Sequence, residues 1–341
     1  GMISILEILY RIAGWENYHL FQLVNAAAMA GIVLVGYKIV RKITESERAG
    51  VIYLLLMAGC WPLILYVAVV YGELLSILFS LLSVYLLLRY IKERQKRYAA
   101  GMAFAITAAC LIRSNCYIVL AAMACVLLVR AVTEKKIQFL FTVVLCAGIY
   151  MVCHMGMIRF YEARLNTDLQ HPMPSVMWIA MGTQEGRDGR EAGWNNGFAW
   201  ETFVDETGRN QELSKRKAKE VIEESVENFK NNPSYLRDFY KRKMASQWIE
   251  PTYGCQVETS CHKEERNVWM ERLYEEDLWK PFVRFMDVYQ SVIYFGALLC
   301  LLLLIRRRVP VEQLTLLITM IGGFLFYVFW EAKSRSVLPY V

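Results

Sequence analysis

The chain has 341 residues, of which 56% are hydrophobic, and its mean hydropathy is +0.29. These values argue against a soluble protein of two or three domains. The formal net charge is +6, but residues 158–287 hold 19 basic and 23 acidic side chains, so the basic excess lies in the apolar remainder. Nucleic acid is therefore not an expected partner.

The first predicted element is a helix in MISILEILYRIAG that ends at Gly14. With about 13 residues it is too short to cross a bilayer, and its apolar spacing favours an interfacial position. Apolar stretches of spanning length follow, at 18–40, 50–70, 74–90, 98–112, 116–130, 137–157, 288–305 and 311–330. The sequence thus predicts an all-α polytopic membrane protein with an N-terminal transmembrane part in 1–157, a polar segment in 158–287 and a C-terminal transmembrane part in 288–341.

Four connections between spans are basic, namely KIVRKITESER, RYIKERQKR, RAVTEKK and IRRR. Alternating spans place all four on one side, which the positive-inside rule makes cytoplasmic. The polar segment 158–287 is then expected outside the cytoplasm, and the protein in the cell membrane. The two spans that flank Arg113 are short, and the alternative for them is a tilted or re-entrant pair.

Charged or polar motifs fall at the outer ends of three spans: Tyr71-Gly72-Glu73, Arg113-Ser114-Asn115 and Glu331-Ala332-Lys333-Ser334-Arg335. Positive charge is otherwise concentrated inside, so these cations favour an anionic partner such as a lipid-linked phosphate, which guanidinium groups bind in a bidentate fork. The alternative is that each side chain snorkels into the headgroup region. For Glu73 the alternatives are a site carboxylate that orients an acceptor hydroxyl and a helix cap favoured by the macrodipole.

The polar segment begins with a turn-rich stretch, HPMPSVMWIAMGTQEGRDGREAGWNNG, and continues with two amphipathic helices in 211–229 and 233–248. Near the end of the second helix, Lys243 and Trp248 are candidates to hold a phosphate and stack on a sugar ring. The alternative is a solvated helix face with interfacial aromatic residues. Cys255 and Cys261 could pair in an oxidising compartment.

The chain resembles bacterial polytopic glycosyltransferases of the GT-C fold, similar to protein mannosyltransferases and lipid A aminoarabinose transferases. The residues that carry the resemblance are ILEILYRIAGWENYHLFQLVN, Tyr71-Gly72-Glu73, Arg113-Ser114-Asn115, WIAMGT at 178–183 and the closing EAKSRSVLPY. Members of that family take sugars from polyprenyl-phosphate carriers at the outer membrane face, and an acidic residue of the first outer loop acts as base.

The resemblance implies that Arg113 and Arg335 bind the carrier phosphate and that Glu73 is a site carboxylate, here the candidate catalytic residue. The predicted substrate-binding and phosphate-binding residues are Arg113, Asn115, Arg335, Lys333, Glu331, Tyr71, Lys243 and Trp248. The pattern departs from the family at Ser336, where a tyrosine usually follows Ser-Arg. The family's first span and its acidic loop should also precede residue 1, so the chain is expected to be part of a longer protein and to transfer sugar poorly by itself.

The function predicted from the sequence is transfer of a sugar from a polyprenyl-phosphate carrier to an extracytoplasmic acceptor. Histidine spacing and the lack of an Asp-x-Asp motif give no support for a metal, and no cofactor is expected besides the lipid-linked donor. Expected partners are that donor and membrane lipids. A transporter or flippase of a lipid-linked saccharide and a non-catalytic lipid-binding remnant stay open as alternatives, as do the sugar, the acceptor and the oligomeric state.

Overall fold

A computed structural model of the chain describes residues 1–15, 17–167, 169, 172–259, 268–274, 277–306 and 309–341. Several residues of the motifs discussed above lie outside the described residues, namely Glu16, the possible disulfide partner Cys261, the histidines His171 and His262, and Arg307 and Arg308 of the IRRR connection. The described residues form α-helices joined by short turns, and the predicted all-α class is confirmed.

The first eight helices belong to the apolar N-terminal half. They are α1 (Met2–Ala13), α2 (His19–Thr44), α3 (Glu47–Gly59), α4 (Trp61–Leu65), α5 (Glu73–Glu93), α6 (Lys96–Ile112), α7 (Tyr117–Glu134) and α8 (Gln138–Leu165). The remaining helices are α9 (Val176–Gly182), α10 (Phe198–Trp200), α11 (Gln211–Asn231), α12 (Pro233–Trp248), α13 (Cys255–Thr259), α14 (Val268–Tyr274), α15 (Trp279–Arg306), α16 (Thr315–Phe329) and α17 (Ser334–Val337). Single turns of 3-10 helix lie at Tyr66–Ala68, Ser114–Cys116, Val311–Leu314 and Leu338–Tyr340, and a π-helical turn lies at Glu201–Glu206.

Among the described residues, six helical stretches are long and apolar enough to cross a membrane: His19–Thr44, Glu73–Glu93, Ser114–Glu134, Gln138–Leu165, Trp279–Leu304 and Val311–Phe329. A seventh crossing is possible if Glu47–Gly59 and Trp61–Ala68, which meet at a bend of 57°, form one span. Pro62 explains the bend because it lies in the first turn of α4, where a proline is tolerated, whereas it would interrupt a continuous helix. The predicted stretch 98–112 corresponds to α6, which has 17 residues.

The chain divides into two compact units, each described here by itself. Unit 1 comprises residues 1–155, 254–320 and 339–341, and unit 2 comprises residues 156–253 and 321–338. This clustering differs from the predicted three-part division at residues 157 and 287, because it assigns residues 254–287 to unit 1 and residues 321–338 to unit 2. As a description of domains in the bilayer, that division stays a prediction.

The core of unit 1 is apolar and lies mainly between α5, α6 and α7, with Leu87, Met102, Ile106 and Val126 fully buried. Residues in the left-handed backbone conformation end three of its helices, Glu45 after α2, Arg94 after α5 and Lys135 after α7. At the α5 and α7 ends, Arg94 pairs with Glu134, and Arg130 of α7 pairs with Glu312 through bonds of 2.5 to 3.0 Å. These ion pairs fix the ends that the sequence analysis predicts to be cytoplasmic.

Unit 2 has its own core. In one part of it, α9 packs against α11 around Met177, Met181 and Ala218. In another, Phe229 of α11 contacts the rings of Tyr235 and Phe239 of α12. The part of the polar segment that belongs to unit 2, within 158–253, therefore contains a helical core, and its two predicted amphipathic helices correspond to α11 and α12.

Candidate functional site

The start of α5 and the end of α6 bring two of the predicted motifs together in unit 1. Gly72 is the residue before α5, Glu73 is its first helical residue, and Arg113 directly follows α6. A Cβ atom on Gly72 would lie 2.5 Å from Cγ2 of Ile112. Because no side chain fits in that space, glycine allows the two helix ends to approach closely.

Glu73 and Arg113 form a buried ion pair at this place, in which Nη1 of Arg113 donates to Oε1 of Glu73. The guanidinium also lies over the ring of Tyr71, 5.2 Å from its centroid, at the distance of a cation–π contact. The side chain of Glu73 is 1% exposed and that of Arg113 is 11% exposed. Of the two side chains, that of Arg113 is thus the more exposed.

Asn115 lies two residues further on, in the 3-10 turn Ser114–Cys116. Its backbone carbonyl accepts a hydrogen bond of 2.8 Å from the hydroxyl of Tyr340, near the end of the chain. The bond ties the Arg113-Ser114-Asn115 motif to residues 339–341, which belong to the same unit. A ligand-binding role for the Asn115 side chain stays a prediction.

Two amides of α2 position the segment that leads into Glu73, and the sequence analysis does not single them out. Nδ2 of Asn25, a fully buried residue, donates to the carbonyl oxygens of Val67 at 3.2 Å and Val69 at 2.8 Å. Nε2 of Gln22 donates to the carbonyl of Ala68 at 3.3 Å. The sequence does carry a signal for them, namely two amide side chains three residues apart within an apolar helix. A buried amide needs hydrogen-bond partners, so such a pair indicates polar contacts with a neighbouring segment.

In unit 2, Lys243 links the ends of two helices. Its Nζ donates to the carbonyl of Gly182, the last residue of α9, at 2.6 Å and to the carbonyl of Val328, near the end of α16, at 2.9 Å. The last carbonyls of a helix lack intrahelical partners and carry the negative end of its dipole, so one amino group satisfies both ends. Gly193, at φ +76°, packs on the Lys243 stem, because a Cβ there would lie 2.7 Å from Cδ of the lysine.

The residues that follow α16 are held by the turn-rich stretch of unit 2. The amide of Ala332 donates to the carbonyl of Gly193 at 2.7 Å, and Trp194 and Ala332 form an isolated parallel β-bridge. The indole Nε1 of Trp194 donates in turn to Oγ of Ser246, three residues after Lys243 in α12. These contacts fix the backbone of the closing motif Glu331–Arg335 within its unit.

The closing motif has mixed charge and is partly buried. Burial raises the pKa of Glu331, and the positive charges of Lys333, Arg335, Arg190 and Lys243 oppose that rise. Burial also lowers the pKa of the Lys243 ammonium to about 7, against the opposing effect of Glu331. A neutral amine retains two N–H donors, enough for the two carbonyls that Lys243 contacts.

The contacts of Lys243 and Trp248 are structural ones. Lys243 is fully buried, and Trp248 is buried with its ring centroid 5.4 Å from that of Phe324 in α16. The phosphate and sugar contacts predicted for these two residues stay predictions. Of the other candidates, unit 1 holds Tyr71, Glu73, Arg113 and Asn115, and unit 2 holds Glu331, Lys333 and Arg335.

Residues 3–156 match the family model described as dolichyl-phosphate-mannose-protein mannosyltransferase. No curated protein and no solved structure matches the chain. The family match covers α1 to α7 and most of α8, and so includes the Glu73–Arg113 pair and the amides of α2. It confirms the resemblance to polytopic GT-C glycosyltransferases, predicted from short motifs, over this part of the chain.

Proposed function

We propose that the protein is a membrane glycosyltransferase that takes a sugar from a polyprenyl-phosphate carrier and transfers it to an acceptor outside the cytoplasm. The match of residues 3–156 to a mannosyltransferase family supports a membrane glycosyltransferase with a lipid-linked donor. The spans that the structure describes fit a multi-pass membrane protein. The acceptor, the sugar and the side on which the reaction occurs belong to the proposal.

The observation that carries the proposal is the Glu73–Arg113 pair beside Tyr71, within the part of the chain that matches the family. A guanidinium has five N–H donors in a planar fork, so it can contact a carboxylate and a phosphate at the same time. Arg113 is the more exposed partner of the pair. We therefore propose that Arg113 binds the carrier phosphate. The ring of Tyr71 covers the face of the same guanidinium.

Glu73 has two possible roles in such a reaction. As a general base it would take the proton of the acceptor hydroxyl, a contribution of typically about 10² to 10⁴ in rate. As a positioning residue it would hold Arg113 in the orientation that receives the phosphate. The burial of Glu73 and its bond to Arg113 favour the positioning role.

Glu73→Gln separates these two roles, because glutamine keeps the size of the side chain and removes its charge. In liposomes that contain the purified chain, donor binding and sugar transfer to a soluble acceptor analogue would be measured side by side. A positioning role predicts weaker donor binding and slower transfer in Glu73→Gln, whereas a general base predicts unchanged binding and a loss confined to turnover. If the wild-type chain neither binds nor transfers any polyprenyl-phosphate sugar, the proposed function is wrong.

The closing motif contributes further cations. Lys333 and Arg335 carry the positive charge, and the bond between Ala332 and Gly193 holds their backbone in place. We propose that Arg335 also binds the donor, in keeping with the resemblance, so that Arg335→Ala weakens donor binding while Arg216→Ala, at an exposed ion pair of α11, leaves it unchanged. Equal donor affinities in these two variants would show that Arg335 does not bind the donor.

A further inference from the structure

A pocket of about 280 Å³ opens within unit 2, between the segment that follows α9 and the π-helical turn Glu201–Glu206. Buried Thr202 and the half-buried side chains of Asn196 and Phe198 contribute to its lining. Its volume is slightly below the about 300 Å³ at which pockets for drug-sized ligands begin, so it suits a group of one sugar residue. π-Helical turns occur frequently at functional sites.

The amide groups of the pocket have fixed orientations. Nδ2 of Asn196 donates to Oε1 of Gln184 at 3.2 Å and to the carbonyl of Glu185 at 3.3 Å, and its Oδ1 accepts from the amide of Phe198 at 3.1 Å. Gly197, at φ +87°, allows the chain to turn here, because a Cβ would lie 2.7 Å from Oε1 of Glu201. The pocket therefore presents oriented polar groups next to one aromatic ring.

Three carboxylates line the pocket, and each of them has a basic ion-pair partner. The pairs are Arg187 with Glu201 at 2.5 Å, Arg242 with Glu185 at 2.7 Å and Lys217 with Glu206 at 2.5 Å. Arginine lowers the pKa of both Glu185 and Glu201, which keeps these two groups ionised as hydrogen-bond acceptors. A cation would have to compete with these basic partners, of which Arg242 also pairs with Glu191 and Asp238, and a phosphate would lie against three carboxylates, so an uncharged ligand fits this lining better.

An uncharged sugar fits this combination of groups. Its hydroxyls can donate to the carboxylates and to Oδ1 of Asn196 and can accept from the Arg187 guanidinium, and the ring of Phe198 can cover its apolar face. We infer that this pocket of unit 2 binds one uncharged sugar residue of the acceptor glycan. This inference rests on the proposed transfer reaction, since it names the class of acceptor that the reaction uses.

Saturation-transfer difference NMR on the whole chain in detergent micelles tests the inference. The probes are methyl glycosides of neutral hexoses and N-acetylhexosamines, with Ca²⁺ and glycerol phosphate as competitors. At least one uncharged glycoside should show saturation transfer that neither competitor displaces. Its affinity should fall at least about tenfold in Asn196→Ala and in Glu201→Gln, the loss expected for one or two hydrogen bonds to charged or oriented groups.

Glu220→Gln is the matched control, because its ion pair with Arg216 lies on the exposed surface of α11 and does not line the pocket. It should keep the wild-type affinity for the glycoside. Thermal unfolding of each variant checks its fold, and Phe198→Leu replaces Asn196→Ala if the latter fails to fold. Absence of glycoside binding by the folded wild-type chain, equal affinity in the pocket variants and the control, or displacement by Ca²⁺ would each overturn the inference.

Binding of a polyprenyl-phosphate sugar, measured in the same preparations, separates this inference from the proposed function. If the glycoside binds and the lipid-linked donor does not, the assignment of the pocket as a sugar site is supported and the proposed function is wrong. If the donor binds and no glycoside does, the pocket assignment fails and the proposed function stands. Competition between donor and glycoside for one site would assign the pocket to the donor sugar and overturn its assignment to the acceptor.

Discussion

Glu73 and Arg113 are 40 residues apart in the chain and form an ion pair where α5 begins and α6 ends. The pair joins two motifs that appear in the sequence as separate polar groups at the ends of different apolar stretches. Gly72 makes this pair possible, because the absence of a side chain allows the two helix ends to approach each other.

Removal of one partner of the Glu73–Arg113 pair leaves the other charge buried without its counter-charge. Glu73→Ala and Arg113→Ala should therefore each destabilise the protein by about 3 to 5 kcal/mol. The double variant should lose clearly less than the sum, because it removes both charges together. Thermal unfolding in detergent measures all three effects.

The control for these three variants is the Arg216–Glu220 ion pair of α11, whose side chains are 77% and 55% exposed. Arg216→Ala should cost no more than about 1 kcal/mol, the range of surface ion pairs. Strict additivity of the Glu73 and Arg113 substitutions would mean that these residues do not interact.

Asn25 fixes the segment before Glu73 through the carbonyls of Val67 and Val69. Asn25→Ala should destabilise the protein by about 2 to 4 kcal/mol, because two partly buried carbonyls lose their donor. Asn25→Asp has nearly the same shape but replaces the donor with an acceptor, so it should cost at least as much. Gln22→Ala is the control, since its bond is exposed, and a loss for Asn25→Ala no larger than that of the control would contradict the account.

The buried Lys243 makes the stability of unit 2 depend on pH. Its pKa is about 7 in the folded protein, below the value of about 10.4 that lysine has in an unfolded chain. Between these two values the unfolded state binds a proton that the folded state does not bind. The contribution of Lys243 to stability is therefore lowest and constant below pH 7, and rises as the pH increases from about 7 to about 10.

Lys243→Met removes this titration while it keeps an apolar stem of similar length. The difference in unfolding free energy between the wild type and Lys243→Met should grow with pH above 7 and stay constant below it. Lys241→Met, in the same helix on an exposed residue, should give no such pH-dependent difference. Parallel stability curves for the wild type and Lys243→Met across pH 6 to 10 would show that the amine does not titrate as expected.

The orientation of the chain is testable at two helix starts. Asn210 caps the first turn of α11 by accepting from the amide of Leu213 at 3.0 Å, and Gln95 precedes α6. If the basic connections are cytoplasmic, a cysteine placed beside Asn210, at Arg209, should react with an impermeant maleimide in intact cells. A cysteine at Gln95 should react only after the membrane is opened, and the opposite pattern would reverse the proposed orientation.

The apolar spans were largely predictable because a stretch of about 20 apolar residues has few alternatives to a membrane helix. Pro62 likewise marks the break between α3 and α4. The boundaries near residues 157 and 287 were harder to place, because α8 and α15 continue as helices beyond the apolar residues that define a span.

The side-chain partners could not be predicted, since they depend on tertiary contacts between distant residues. Arg113 was expected to contact a phosphate, and the structure adds Glu73 as its internal partner. The run Lys241-Arg242-Lys243 gives three successive positive charges, and only the fold shows that the third of them points inward to two carbonyls. The buried Asn25 is recognisable in the sequence as an amide inside an apolar helix, but this pattern does not identify its hydrogen-bond partners.

The affinity of the chain for a polyprenyl-phosphate sugar, in the wild type and in Arg113→Lys, tests the central claim most directly. Lysine keeps the positive charge opposite Glu73, so the variant should fold, but it lacks the planar fork that binds phosphate in a bidentate manner. The account predicts a loss of affinity of about 10- to 100-fold, the effect of one charge-assisted hydrogen bond worth about 1.5 to 3 kcal/mol. Equal affinity in the wild type and a folded Arg113→Lys would contradict the assignment of the phosphate to Arg113.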